Sequence, residues 1–252
     1  MAMEEVLQKI AGVAGFQGIG KRSNMEDRYV VVERPGVGLF MGLFDGHGGV
    51  QVADFLAERM PPAFFESLNR CPSPQESFVE CFARLEEECS GEDIGSTAIC
   101  AFISGTNLIM ANCGDSQGLV IGPGFRVECL TRPHRLTDKT ERARILAGGG
   151  RITDPYYFKS NKGMIPTRSF GDTTMREVGL IARPQFTQRA LLADDLYAIL
   201  ASDGLFDVLK PEDIAEVLKS KPTAKDAPIR LVGKAIEKGV SDNVTVVVVE
   251  FK

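Results

Sequence analysis

Acidic residues stand at the ends of apolar runs in this chain. Phe44-Asp45-Gly46-His47-Gly48-Gly49 closes the run 38–44, and Gly114-Asp115 follows 108–113. Asp203-Gly204 follows 197–202, Asp242-Asn243 precedes the run 244–249, and Glu26-Asp27 precedes a further β-rich segment. Taken singly, each aspartate is ordinary turn chemistry, because Asp-Gly and Asp-Asn favour turns. Brought together, the carboxylates would repel one another and raise their pKa values unless cations offset the charge. Oxygen donors without histidine suit hard cations such as Mg²⁺ or Mn²⁺. Two such ions about 4 Å apart can hold a hydroxide between them and stabilise in-line displacement at phosphorus.

These positions need strands to carry them. β-Branched and aromatic content predicts strands near 28–33, 38–44, 96–104, 106–112, 117–122, 196–202 and 244–251. Ser104-Gly105-Thr106-Asn107 reads as a hairpin between two of them. Helical spacing is clearest in 75–89, through Phe78, Phe82, Leu85 and Cys89, with Ser73-Pro74 as N-cap and first-turn proline. Further helices fit 50–60, 138–147, 211–219 and about 227–238. Strands cluster with strands and helices form separate insertions, without βαβ alternation. The expectation is an α+β architecture with packed antiparallel sheets, in one domain over 1–252.

Composition narrows the function. The net charge is −5, with 34 acidic against 29 basic residues and no Lys/Arg run, which argues against nucleic acid or an anionic membrane as partner. No stretch approaches the roughly 20 apolar residues of a membrane span, and the N-terminus lacks the pattern of a secretory signal. Six irregularly spaced cysteines without a C-x-x-C pair, and only two histidines, make a zinc site a poor reading. Reduced thiols and an intracellular, cytoplasmic location are expected.

In the order of its motifs the sequence resembles the metal-dependent Ser/Thr protein phosphatases of type 2C. The blocks are Arg22-Ser23-Asn24-Met25-Glu26-Asp27, Phe44-Asp45-Gly46-His47-Gly48-Gly49, Gly95-Ser96-Thr97-Ala98 and Asn112-Cys113-Gly114-Asp115-Ser116. Thr167-Arg168-Ser169-Phe170-Gly171-Asp172, Ala201-Ser202-Asp203-Gly204 and Ser241-Asp242-Asn243-Val244-Thr245 follow. The resemblance implies a four-layer α-β-β-α sandwich with metals at one edge, acting as a monomer on phosphoproteins. Asp45 would bridge two Mg²⁺ or Mn²⁺ ions with a water or hydroxide between them. Asp203 and Asp242 would complete one ion's protein ligands, and Glu26 and the Gly46 carbonyl would serve the other. Asp115 and Asp207, with Asp203, match positions that hold a weaker third metal in some members. Arg22 would grip the phosphate, and His47 would be the general acid.

Departures from the family pattern fall at Gln117, at Thr131-Arg132-Pro133-His134-Arg135-Leu136, at Ile165-Pro166-Thr167-Arg168 and at Arg183-Pro184-Gln185. They bear on the substrate flap, around residues 154–166, and on the third-metal surroundings, and none removes a ligand of the two-metal core. His134 reads as a turn or packing residue, and Arg168 and Asp172 as loop braces. Three functions remain open: hydrolysis of phosphoserine and phosphothreonine in proteins, a pseudophosphatase scaffold that binds phosphoproteins, and a two-metal hydrolase of small phosphate esters. Glu26, Asp45, Asp203 and Asp242 are all present, which favours the first over the second.

Overall fold

The computed structural model describes residues 10–89 and 93–252. The expected domain, 1–252, therefore includes two segments, 1–9 and 90–92, outside the described residues. In chain order the strands are β1 (Ile10–Gly18), β2 (Arg28–Arg34), β3 (Gly38–Phe44), β4 (Gly46–His47), β5 (Gly95–Ser96), β6 (Ala98–Ser104), β7 (Asn107–Cys113) and β8 (Gln117–Ile121). They continue as β9 (Val127–Cys129), β10 (Arg151–Thr153), β11 (Tyr156–Lys159), β12 (Lys162–Met164), β13 (Phe170–Gly171), β14 (Gln185–Ala190), β15 (Tyr197–Ala201) and β16 (Val244–Phe251). One five-stranded antiparallel sheet has the order β1-β16-β15-β8-β9, and the other β14-β7-β6-β3-β2. β10-β11-β12 and β13-β5-β4 form two small sheets beside them.

Alternation along each central strand builds the layers. In β3, Phe40 and Phe44 join Phe64, Phe78 and Phe82 beneath the helices Gln51–Leu68 and Pro74–Glu88. Leu39, Met41 and Leu43 point the other way and meet Leu200, Val247 and Val249 between the sheets. Ile199, Val246 and Val248 then face Ile214, Leu231 and Val232 of the helices Pro211–Leu218 and Asp226–Glu237. A strand apolar on both faces thus serves two cores at once, as the period of two requires. The result is the expected α+β fold, helices on both outer faces of two packed antiparallel sheets.

Differences from the sequence expectation have local causes. The segment expected as a strand over 96–104 divides at Thr97 into β5 and β6. The helix expected over 50–60 runs to Leu68, through Pro61 and Pro62. Those prolines remove two helical donors, but Ala63, Phe64 and Phe65 beyond them are fully packed and carry the helix on. Ser73 caps the next helix as expected, accepting from the Glu76 N–H at 3.2 Å. The 104–107 hairpin forms with Ser104 opposite Asn107. All six cysteines are free. Among the described residues no helix is long and apolar enough to cross a membrane.

Candidate metal centre and active site

Antiparallel pairing brings the acidic residues together. β15 and β16 pair Ala201 with Val246, and Ala201 also faces Gln117 of β8, so the turns bearing Asp203, Asp242 and Asp115 share one end. In the other sheet β3 and β7 both run antiparallel to β6, which brings Phe44 and Cys113 to the same edge. Arg28, at the start of β2, lies opposite Phe44, so Glu26 arrives there too. The two sheets therefore deliver carboxylates to a single rim.

At that rim, oxygens of Asp45, Asp115 and Asp203 lie within 4.8 Å of one another. With Glu26, Gly46 and Asp242 they line a cavity of about 370 Å³. Its far wall is the β10–β12 hairpin region, which contributes Tyr156 and 163–166, where the sequence placed a flap. Gly46 is held to a close approach: a Cβ there would lie 2.6 Å from the Glu26 carbonyl oxygen. Asn243 fixes the other side of this loop. Its amide nitrogen donates to the carbonyls of Ile19 and Asn24, and its oxygen accepts from the Glu26 N–H at 2.8 Å. Asp27, the neighbour of Glu26, turns inward and is bonded by the Thr245 hydroxyl at 2.6 Å.

The electrostatics match a cation site. Asp45 is held well above the usual carboxylate range by lost hydration, with Asp27, Asp203, Asp115 and Asp242 adding repulsion. Asp203 is pushed up to about 8 by the same desolvation and by Asp115 and Asp207, against the opposing pull of Arg135. Desolvation raises Asp27 to about 6. Such a cluster favours its charged form only when positive charge is supplied from outside. An all-oxygen donor set within a few ångströms fits hard divalent cations. The residues present fit such a metal.

Two cationic residues already touch this rim. Arg22 Nη2 donates to Asp242 Oδ2 at 2.7 Å, with the Arg22 side chain 57% exposed beside the cavity. Arg135 reaches Asp115, Asp203 and Asp207, a contact the sequence did not suggest.

His47 lines the cavity beside Asp45, and its Nε2 lies 2.6 Å from Asp172 Oδ2. The expectation that Asp172 braces a loop is thus incomplete. Its carboxylate also accepts from Ser169 Oγ and Lys162 Nζ, both at 2.8 Å. Burial would raise the Asp172 pKa, but His47 and Lys162 hold it below the usual value. Gly95, between His47 on β4 and Gly171 on β13, leaves the space in which the pair meets. A Cβ there would stand 1.9 Å from Asp172 Oδ2 and 2.5 Å from His47 Nε2. Among the described residues the hydrogen bond recorded for the His47 ring is the one at Nε2. Asp172 takes a positive φ of 47°.

His134 and Arg168 act elsewhere. The Gly114 N–H donates to His134 Nδ1 at 3.1 Å, which leaves the proton on Nε2, 3.2 Å from Gln185 Oε1. Burial holds the His134 pKa down at about 4. This is the packing role expected of it. Arg168 braces a loop by bonding Glu141 and the Arg183 carbonyl.

A two-sheet sandwich with an all-oxygen acidic cluster at one rim defines the class. The sequence model of the family described as Protein phosphatase 2C matches residues 13–244, and the chain belongs to that family. Among curated relatives, the chain is 31% identical over 260 residues to a probable protein phosphatase 2C of Oryza sativa, covering 84% of this chain and 56% of that protein. It is 32% identical over 242 residues to one of Arabidopsis thaliana, covering 92% of this chain and 68% of that protein. The chain thus spans little more than half of the rice relative. Among solved structures, a serine-threonine phosphatase 2C from Toxoplasma gondii superposes with a TM-score of 0.85 at 19% identity, covering 97% of both chains. A C. elegans sex determining protein superposes at 0.82 with 26% identity, covering 96% of this chain and 65% of that one.

Proposed function

We propose that the chain is a metal-dependent protein serine/threonine phosphatase, acting as a monomer in a single domain on phosphoserine and phosphothreonine. The observation that carries this reading is the convergence of Asp45, Asp115 and Asp203 within 4.8 Å, in a cavity also lined by Arg22 and His47. Glu26, Asp45, the Gly46 carbonyl, Asp203 and Asp242 would hold two divalent ions, Mg²⁺ or Mn²⁺. When bound, these would neutralise the carboxylates, activate water and offset charge at the phosphoryl group.

The remaining work falls to the chain's own groups. Arg22 exchanges its Asp242 contact for two phosphate oxygens, since a guanidinium fork matches phosphate in a bidentate manner. His47 donates the Nδ1 proton to the serine or threonine oxygen as the bond to phosphorus breaks. Asp172 bonds Nε2 and fixes the ring's orientation, so it is a positioning residue. Lys162 ties the flap hairpin to that same carboxylate. The deciding test is phosphate release from a phosphothreonine peptide with Mn²⁺, with EDTA as control. Metal-dependent release is expected, and no release, or release only from small esters, would overturn the reading. Glu26, Asp45, Asp203 and Asp242 all face the cavity, which favours a catalyst over a scaffold.

A further inference from the structure

Arg135 is placed unlike any other cation on the rim. Its Nε lies 2.7 Å from Asp115 Oδ2, its Nη2 lies 2.7 Å from Asp203 Oδ2, and its Nη1 lies 3.7 Å from Asp207 Oδ1. Three nitrogens of one planar group thus address three carboxylates contributed by two turns of the chain. The side chain is not a passing surface contact. Asp115 is almost fully buried, and the Arg135 side chain itself is 30% exposed.

The backbone that presents it is pinned on both sides. The His134 N–H donates to the Gly114 carbonyl, and the Gly114 N–H returns a bond to His134 Nδ1. The Thr167 N–H bonds the His134 carbonyl, and the Asp138 N–H bonds the Arg135 carbonyl. Arg135 therefore enters the cluster from a segment locked to the turn that bears Asp115. A guanidinium and a metal ion cannot use the same oxygen lone pairs, and their like charges exclude close approach. Asp115 and Asp203 each keep one oxygen that Arg135 does not bond.

We propose that Arg135 is a tethered cation filling the outer part of the cluster, so that no divalent ion binds between Asp115, Asp203 and Asp207. Metal is then confined to the inner set of Asp45, Glu26 and Asp242 with the Asp203 oxygen that Arg135 does not bond. This inference rests on the metal-site reading above, and it assigns to a side chain the place where the family resemblance allowed a third ion. It also gives Asp207 a role as partner of Arg135 instead of ligand.

The test is a count of bound ions, made on the full chain without substrate. Free Mn²⁺ is followed by electron paramagnetic resonance during titration of wild type, Asp207→Asn, Arg135→Met and the double variant. Wild type and Asp207→Asn are expected to bind the same number of ions. Arg135→Met is expected to bind one more, weakly, and the double variant to lose it. An ion lost from wild type on the Asp207→Asn change alone would overturn the inference while leaving the metal reading intact. So would an unchanged count in a folded Arg135→Met protein. Should Arg135→Met fail to fold, the wild-type and Asp207→Asn pair still decides. Wild type that binds no Mn²⁺ would overturn the metal reading and this inference with it.

Discussion

Gly95→Ala tests the His47–Asp172 pair without touching either residue. Gly95 has strand backbone that alanine adopts freely, so the effect comes from the added methyl group alone. That carbon would stand 1.9 Å from Asp172 Oδ2 and 2.5 Å from His47 Nε2. Both groups must retreat, Asp172 Oδ2 by roughly 1 Å and His47 Nε2 by roughly half as much, before the contacts become tolerable. Asp172 is fully buried and bonded by Ser169 and Lys162, and its backbone N–H is bonded to the Ile94 carbonyl. His47 is 31% exposed at its side chain and yields more easily, but the shorter contact is with Asp172, so the added methyl pries the pair apart. Misplacement by about 1 Å costs on the order of 10² in rate where geometry governs the step. Hydrolysis of a phosphothreonine peptide, whose alkoxide needs a proton, should fall about 10²-fold. Hydrolysis of p-nitrophenyl phosphate, whose phenolate leaves unaided, should fall less than about 10-fold, because general acid catalysis matters little there. Loss of the charge contact at the buried carboxylate costs about 3–5 kcal/mol in stability at the upper limit. A thermal melt therefore accompanies the kinetics, and Asp172→Asn, which keeps the shape and removes the charge, serves as the companion. Equal losses on both substrates, with weakened Mn²⁺ binding, would refute the acid role and leave His47 as packing for the turn.

The other expectations concern the rim and one buried ring. Asp45→Asn should abolish turnover yet raise the melting temperature in EDTA, because it deletes a desolvated carboxylate repelled by its neighbours; a lower melting temperature in EDTA would contradict that electrostatic picture. Asn243→Ala frees the Glu26 N–H and two loop carbonyls, so stability should fall by about 1–3 kcal/mol and Mn²⁺ affinity should drop; unchanged affinity would detach Glu26 from the metal. His134→Gln should flatten the acid side of the stability curve. The folded pKa of His134, about 4, lies below its ordinary 6.5. Its contribution is therefore complete above pH 6.5 and is lost as pH falls toward 4. The loss amounts to about 3 kcal/mol at the low end, and the wild-type minus variant difference in denaturant unfolding between those limits should show it. A difference that does not vary with pH would refute the assignment.

The central strands were legible because each carries a dense apolar or β-branched run, as in 39–44 and 244–249. β1 escaped because its sequence, IAGVAGFQG, mixes three glycines into a half-exposed strand. β14 escaped because an edge strand needs little apolar surface, and QFTQRA pairs with β7 alone. At the site, the aspartates could be read from their places at the ends of apolar runs. The contacts that orient them could not. His47 and Asp172 are 125 residues apart, and Arg135 and Asp203 are 68 apart, so no spacing rule relates them. Asp172 did lie within the block Ser169-Phe170-Gly171-Asp172, but its contact with His47 depends on the missing side chain at Gly95.

The same separation explains how the fold tolerates so charged a rim. The apolar layers are filled by strand interiors, while the carboxylates sit on the turns just beyond them, at the one edge where both sheets end. A rim assembled this way concentrates repulsion in residues that contribute nothing to the cores. Fixed positive charge is supplied from outside the acidic floor: Arg22 covers Asp242, and Arg135 covers Asp115, Asp203 and Asp207. Asp45 receives neither. Burial opposes its charged form, and four neighbouring aspartates add to that opposition. Asp45 therefore calls for positive charge from outside the chain, whereas a guanidinium already stands at Asp115, Asp203 and Asp207. On the proposed reading, the distribution of the arginines, more than the count of aspartates, would decide where metal binds.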